Sequence, residues 1–118
     1  MLSIGSPTRI YLHVPPTDMR KSFDGLSGLV RSAFRADPLD GGWFLFFNRR
    51  RDRLKILYWD RDGLALWCKR LESGTFEALR SANEDITTLE LNATQLTLLL
   101  NGVTLASAQH RKRFTRAR

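Results

Sequence analysis

One cysteine, Cys68, and two histidines, His13 and His110, are all the thiol and imidazole chemistry this chain holds. A single thiol excludes an internal disulfide, and three such groups so spaced do not make a zinc site. Nucleophilic catalysis needs a Ser, Cys or Thr beside a positioned base. The two imidazoles stand in an expected strand before two prolines and at the head of a basic C-terminus, so both are expected at the surface. Cys68 is expected as a small core residue of a strand. None of the 8 glycines falls in a phosphate-cradling motif. Long apolar runs are missing too. The longest, such as 43–47 and 64–68, and the shorter 98–100 are far short of the roughly 20 residues that cross a bilayer. Residues 1–6 lack a basic run followed by an apolar one, so no secretory signal is expected and the expected compartment is the cytoplasm.

Acidic residues are also few, 12 against 19 Lys plus Arg. Polynucleotide transferases hold two metal ions with clustered carboxylates. Two pairs could be compared with such clusters here, Asp60 with Asp62 and Glu84 with Asp85. Asp60 and Asp62 flank Arg61 at a turn, a position that Asp favours without any metal, and Arg53 and Arg61 compete as counterions. A metal-dependent nuclease centred on Asp60 and Asp62 is the enzyme-class alternative. The expectation is a non-enzyme with no cofactor and no metal.

What is abundant is arginine. The formal net charge is +7, and its distribution is uneven. Residues 48–55 hold Arg49, Arg50, Arg51, Arg53 and Lys55 against Asp52, and residues 110–118 hold Arg111, Lys112, Arg113, Arg116 and Arg118 with no acid. The remainder of the chain is slightly acidic. Guanidinium groups present a planar fork suited to phosphate and carboxylate. Asp52 cannot neutralise four of them at a hairpin tip, which points to an anionic partner. A basic hairpin can also serve solubility alone. Contacts to phosphate position a protein without reading sequence and weaken with salt. Lys69 and Arg70 form a third basic element, with Glu72 as a local counterion worth about 0–1 kcal/mol if exposed.

Periodicity supplies the fold. Ile10, Leu12 and Val14 alternate with Arg9, Tyr11 and His13, a half-buried strand over 9–14 that Pro15 and Pro16 end. Thr17 or Asp18 is placed to cap a helix over 19–35. Met19, Phe23, Leu26, Leu29, Val30, Ala33 and Phe34 form its apolar arc, and Ser27 falls on the polar side. Gly25 and Gly28 each weaken it by about 1 kcal/mol relative to Ala, so packing must hold it. Residues 43–47 are apolar on both alternations, as in a central strand covered on two sides. Strands over 54–59 and 64–71 follow, separated by the polar loop 48–53 and the turn 60–63, where Gly63 can supply a positive φ. The aromatic residues Trp43, Phe44, Phe46, Phe47, Tyr58, Trp59 and Trp67 read as core and not as a base-stacking platform. Residues 75–89 show no clear pattern. Asn92 and Gln95 have capping-box spacing for a short helix bearing Leu96, Leu99 and Leu100, which Asn101-Gly102 closes.

The expectation is an α+β domain over 1–107 with a basic tail over 108–118 that is predicted to be disordered. Its antiparallel sheet has about four strands, the meander 43–71 plus the strand 9–14. One amphipathic helix packs on a face, and the second short helix is C-terminal.

Residues 18–26 (Asp-Met-Arg-Lys-Ser-Phe-Asp-Gly-Leu) and 44–59, with Asn48-Arg49-Arg50-Arg51-Asp52-Arg53-Leu54-Lys55-Ile56-Leu57, carry a family likeness. It continues through Asp60, Gly63, Lys69-Arg70-Leu71-Glu72, Gly74, Phe76, Gln95, Leu98-Leu99-Leu100 and Gly102. Over roughly residues 8–105 the chain resembles the TnpB-type accessory proteins of the insertion-sequence-66 transposon family. It departs from the pattern after Phe76, where Glu77-Ala78 stand in place of the family's Trp-Pro. The resemblance implies a non-catalytic partner of a separate transposase, and it carries over no catalytic residue. It is distinct from the much larger RNA-guided nucleases that share the TnpB label. Taken with the basic hairpin and tail, it gives as expected partners DNA, at the transposon ends, and the element's transposase, with no membrane; if DNA is bound, the protein is nucleoid-associated. The candidate DNA contacts are Arg49, Arg50, Arg51, Arg53, Lys55, Lys69, Arg70, Arg111, Lys112 and Arg113. The alternative is an adaptor that docks on the transposase without touching DNA.

Overall fold

The computed structural model describes residues 9–80 and 83–102. Its elements run β1 (Ile10–His13), α1 (Phe23–Ala33), β2 (Trp43–Phe47), β3 (Arg53–Asp60), β4 (Gly63–Arg70), β5 (Thr88–Leu91) and α2 (Ala93–Leu100). The strands form one sheet in the order β4-β3-β2-β1-β5. The α+β class holds, with a fifth strand and one parallel pair beyond the expected arrangement. β1 and β2 run parallel, Ile10 opposite Trp43 and His13 opposite Phe46. A helix returns the chain between them, and such a crossover is what parallel neighbours require. The remaining neighbours are antiparallel.

Alternation divides the core between two faces. Leu26 and Val30 of α1 cover Phe44, Phe46 and Leu57, with Tyr11, Leu64 and Leu66 at the margin. On the other face Leu96 and Leu99 of α2, with Phe76, cover Ile10, Leu12, Leu45, Phe47, Leu54 and Ile56. Covered on both sides, β2 is buried along its whole length, as its unbroken apolar run requires.

Helix α1 starts four residues later than its periodicity suggests. Asp18 does not cap it but folds an Asx turn, its Oδ1 accepting the Arg20 N–H at 2.9 Å. The Thr17 N–H is spent on the Phe47 carbonyl at 2.7 Å. Residues 17–22 are thereby tied to the sheet as a turn, and Ser22 takes the N-cap position. Phe23 is left exposed, and Ser27 is buried on the face shared with Leu26 and Val30. At the other end Arg35 takes φ 51° and the Ala36 N–H reaches the Val30 carbonyl at 3.3 Å, closing the helix in left-handed fashion. Helix α2 has the expected capping box: Asn92 Oδ1 accepts the Gln95 N–H at 2.7 Å and Gln95 Oε1 accepts the Asn92 N–H at 2.9 Å. Gly102, at φ 77°, closes it.

Three local expectations change. Cys68 is exposed, because β4 lies at the sheet margin and its last residues extend past the cover of α1. His13 is buried, its ring between Phe34 at 5.8 Å and Phe46 at 5.9 Å. In the turn between β3 and β4 the positive φ belongs to Arg61 and not to Gly63. His110 and the tail 108–118 lie outside the described residues.

Candidate nucleic-acid interface

The turn between β2 and β3 is organised by Asn48. Its Oδ1 accepts the N–H groups of Asp52 at 3.1 Å and Arg53 at 3.0 Å, and its Nδ2 donates to Asp52 Oδ1 at 2.6 Å. The Arg51 N–H closes the turn on the Asn48 carbonyl at 3.1 Å. Arg49 and Arg50 therefore ride the crest and are exposed. The bond from Asn48, followed by the charges of Arg50 and Arg53, holds the Asp52 carboxyl below its ordinary range.

Arg51 goes the other way. At φ 58° its side chain turns inward, the guanidinium lying 4.5 Å from the Phe47 ring centroid and donating from Nη2 to the Glu77 carbonyl at 2.8 Å. Its backbone carbonyl accepts the Phe76 N–H at 2.7 Å. Burial, and then the charge of Arg80, lower its pKa from the usual guanidinium value, while Glu77 acts in the opposite sense. Arg51 thus pins the segment after β4 across the end of the sheet.

Lys55 is similarly occupied within the fold. Its Nζ donates to the carbonyls of Met19 and Lys21, both at 2.8 Å, and so holds the turn before α1 against β3. The ladder places Arg53 directly opposite Arg70 and Leu54 opposite Lys69. Like charges facing each other across a strand pair are unfavourable. Glu72 gives only partial relief, its Oε1 lying 3.4 Å from Arg70 Nη2 with both side chains exposed. Among the described residues Arg49, Arg50, Arg53 and Lys69 enter no salt bridge. One turn and one strand pair therefore gather Arg49, Arg50, Arg53, Lys69 and Arg70 at one end of the sheet. Arg111, Lys112 and Arg113 lie outside the described residues.

Sequence reasoning missed Arg80. It shares a cleft of about 560 Å³ with Arg49, Arg51 and Glu84, against an apolar wall of Val14, Pro15, Pro16, Leu79 and Ile86. Residues 75–80 are irregular, so no period marked Arg80; only its charge could have drawn attention. The opposite end of the sheet is acidic. Asp37 and Asp40 precede β2, and Asp60 and Asp62 flank the β3–β4 turn, where the Asp62 N–H donates to the Asp60 carbonyl at 2.6 Å. Among the described residues no three His, Cys, Asp or Glu side chains converge on a possible metal position, and no helix is long and apolar enough to cross a membrane.

The architecture is thus that of a small α+β module with a cationic end. Residues 8–110 match the family model described as IS66 Orf2 like protein, and the chain belongs to that family. Two relatives come from Sinorhizobium fredii (strain NBRC 101917 / NGR234). "Uncharacterized protein y4jC" is 47% identical over 68 residues, a match spanning 58% of either chain. "Uncharacterized protein y4hO" is 33% identical over 103 residues, 87% of each. No solved structure matches. The family is one of transposition-associated accessory proteins and not a known catalytic family.

Proposed function

We propose that this chain is a non-catalytic accessory factor in transposition that binds DNA, at the ends of its element, through the cationic end of the sheet. The supporting observation is the Arg53–Arg70 ladder pair, held face to face beside Arg49, Arg50 and Lys69 without a matching set of acids. A phosphate backbone supplies the missing anions, and each phosphate neutralised releases counterions. Arg51 and Lys55 act from behind, Arg51 fixing the hairpin that presents Arg49 and Arg50, and Lys55 tying β3, which carries Arg53, to the turn before α1. Arg111, Lys112 and Arg113 add charge from the C-terminal segment. The working compartment is the cytoplasm, on the nucleoid.

The experiment is fluorescence anisotropy with a labelled element-end duplex and a scrambled duplex across a salt series. Steep loss of affinity with salt supports the reading, and preference for the true end makes the chain an end-recognition factor. Absence of binding at low salt defeats it. The adaptor reading draws on the Arg49–Arg80 cleft, whose apolar wall and exposed Ile86 suit an acidic, partly apolar segment of the transposase. Co-purification with the transposase that survives nuclease treatment favours that alternative.

A further inference from the structure

The two edges of the sheet are protected very differently. β5 is four residues long, and its exposed Glu90 is bound bidentately by Arg9 at 3.1 Å. Shortness and charge are the usual ways of blunting an edge. β4 is eight residues long and, among the described residues, is the terminal strand on its side. Residues 64–68, Leu-Ala-Leu-Trp-Cys, contain no charge and no proline.

The ladder fixes which backbone groups this edge offers. Pairing sets Leu54 opposite Lys69, and in the same register the Leu71 N–H donates to the Asp52 carbonyl at 2.7 Å. Hydrogen-bonded pairs alternate in an antiparallel ladder. The odd-numbered residues of β4 therefore bond inward to β3. The N–H and C=O groups of Leu64, Leu66 and Cys68 point away from the sheet, and so do those of Arg70.

The charge along the edge selects the occupant. Asp60, Arg61 and Asp62 stand before the strand with a net negative charge, and Lys69, Arg70 and Glu72 end it with a net positive one. A second copy running antiparallel brings each acidic end beside a basic one. A two-fold axis normal to the sheet keeps each face on its own side and pairs residues of equal parity. Centred on Leu66, it sets Leu66 opposite its equivalent, Leu64 opposite Cys68, Ala65 opposite Trp67 and Asp62 opposite Arg70.

We propose that β4 is a homodimerisation edge, joining two copies antiparallel about Leu66 into one ten-stranded sheet. The pairing uses about 27 Å of strand. This is a short interface, so the dimer is expected to dissociate in the micromolar range. The proposal does not depend on DNA binding.

The test is sedimentation equilibrium of the full chain, freed of nucleic acid by nuclease and high salt, from low to high micromolar concentration. A monomer-to-dimer transition is expected. Cys68→Pro removes an outward N–H from an exposed position and should raise the dissociation constant at least about tenfold, equivalent to about 1.4 kcal/mol. Cys68→Lys places a charge against Leu64 of the second copy without backbone strain, and reads the same effect if the proline variant fails to fold. Asp62→Arg should weaken the dimer, and its combination with Arg70→Asp should restore it. A monomer at every concentration overturns the proposal. A dimer untouched by both folded Cys68 variants overturns it as well, since the interface then lies elsewhere. Circular dichroism and thermal midpoints confirm that each variant is folded.

Discussion

The two ends of the sheet are built by the same device, a tight turn joining antiparallel strands, yet they differ in what their charges do. At the acidic end Asp60 and Asp62 flank a turn in which Arg61 supplies the left-handed φ. At the basic end the cations outnumber their acids, and they divide into two groups. Arg51 and Lys55 are consumed by carbonyls of the fold, whereas Arg49, Arg50, Arg53 and Lys69 project without a salt bridge among the described residues. Sequence charge alone does not separate these groups. Backbone conformation does, because a positive φ at Arg51 turns one guanidinium inward while its two predecessors stay on the crest.

The largest expected effect breaks the symmetry between the ends. Reversing Arg49, Arg50 and Arg53 to Glu should weaken binding to duplex DNA on the order of a hundredfold or more near physiological salt. It should also lower the salt slope by about 3, one for each phosphate left without its cation. Reversing Asp37 and Asp40 to Lys, acids of the opposite end that take no part in the β4 pairing, should leave affinity the same or slightly higher. Anisotropy titrations at several salt concentrations measure both. Equal weakening from changes at either end would show that net charge, and not this surface, governs binding.

A second comparison lies within the hairpin. Arg51→Ala removes the donor to the Glu77 carbonyl and the cover over Phe47, and should cost about 1–3 kcal/mol of stability. Arg49→Ala should be neutral within about 0.5 kcal/mol. For DNA affinity at temperatures where both variants are folded, the order reverses. Urea denaturation and anisotropy on the same preparations test the pair.

His13 lies near the basic end of the sheet but is enclosed by Phe34 and Phe46, and burial lowers its pKa from the ordinary imidazole value. In the unfolded chain it takes up a proton near pH 6.5. Below that pH the unfolded state binds more protons than the folded one, so folding stability falls as pH drops through 6.5 and levels off below the folded pKa. The contribution is fully present above pH 6.5. Urea midpoints between pH 8 and 5 should show this slope, and His13→Phe should remove it. The Asp18 carboxyl follows the opposite logic. Bonds from the Arg20 side chain and N–H hold it at about 2, so that its pairing persists through this whole pH range.

Much of this arrangement was legible in the sequence. Two-sided apolarity announced β2 as the covered central strand, and capping-box spacing announced α2, because both are local rules. The Arg-rich hairpin was also visible as a loop. The parallel β1–β2 pair and β5 were not legible, since each depends on partners far away in the chain. The burial of His13 follows from the packing of Phe34, and the inward turn of Arg51 from a single backbone angle. The exposure of Cys68 was hidden because an apolar strand segment gives no sign of whether it lies at the centre of a sheet or at its edge.

The smallest expected effect concerns the Arg53–Arg70 pair, and it carries the sharpest contrast. Directly opposed like charges on a strand pair are destabilising, whereas opposite charges contribute roughly 0.2–1 kcal/mol. Arg53→Glu should therefore raise the urea midpoint slightly, by pairing with Arg70 across the ladder, while lowering DNA affinity. A variant that gains stability as it loses binding is what a functional surface predicts, because the wild-type arrangement keeps an unfavourable pair for its ligand. If Arg53→Glu instead leaves both quantities unchanged, the opposed arginines are merely solvated. The basic end would then differ from the acidic end in charge alone, and the case for DNA binding would rest on Arg49, Arg50 and Lys69.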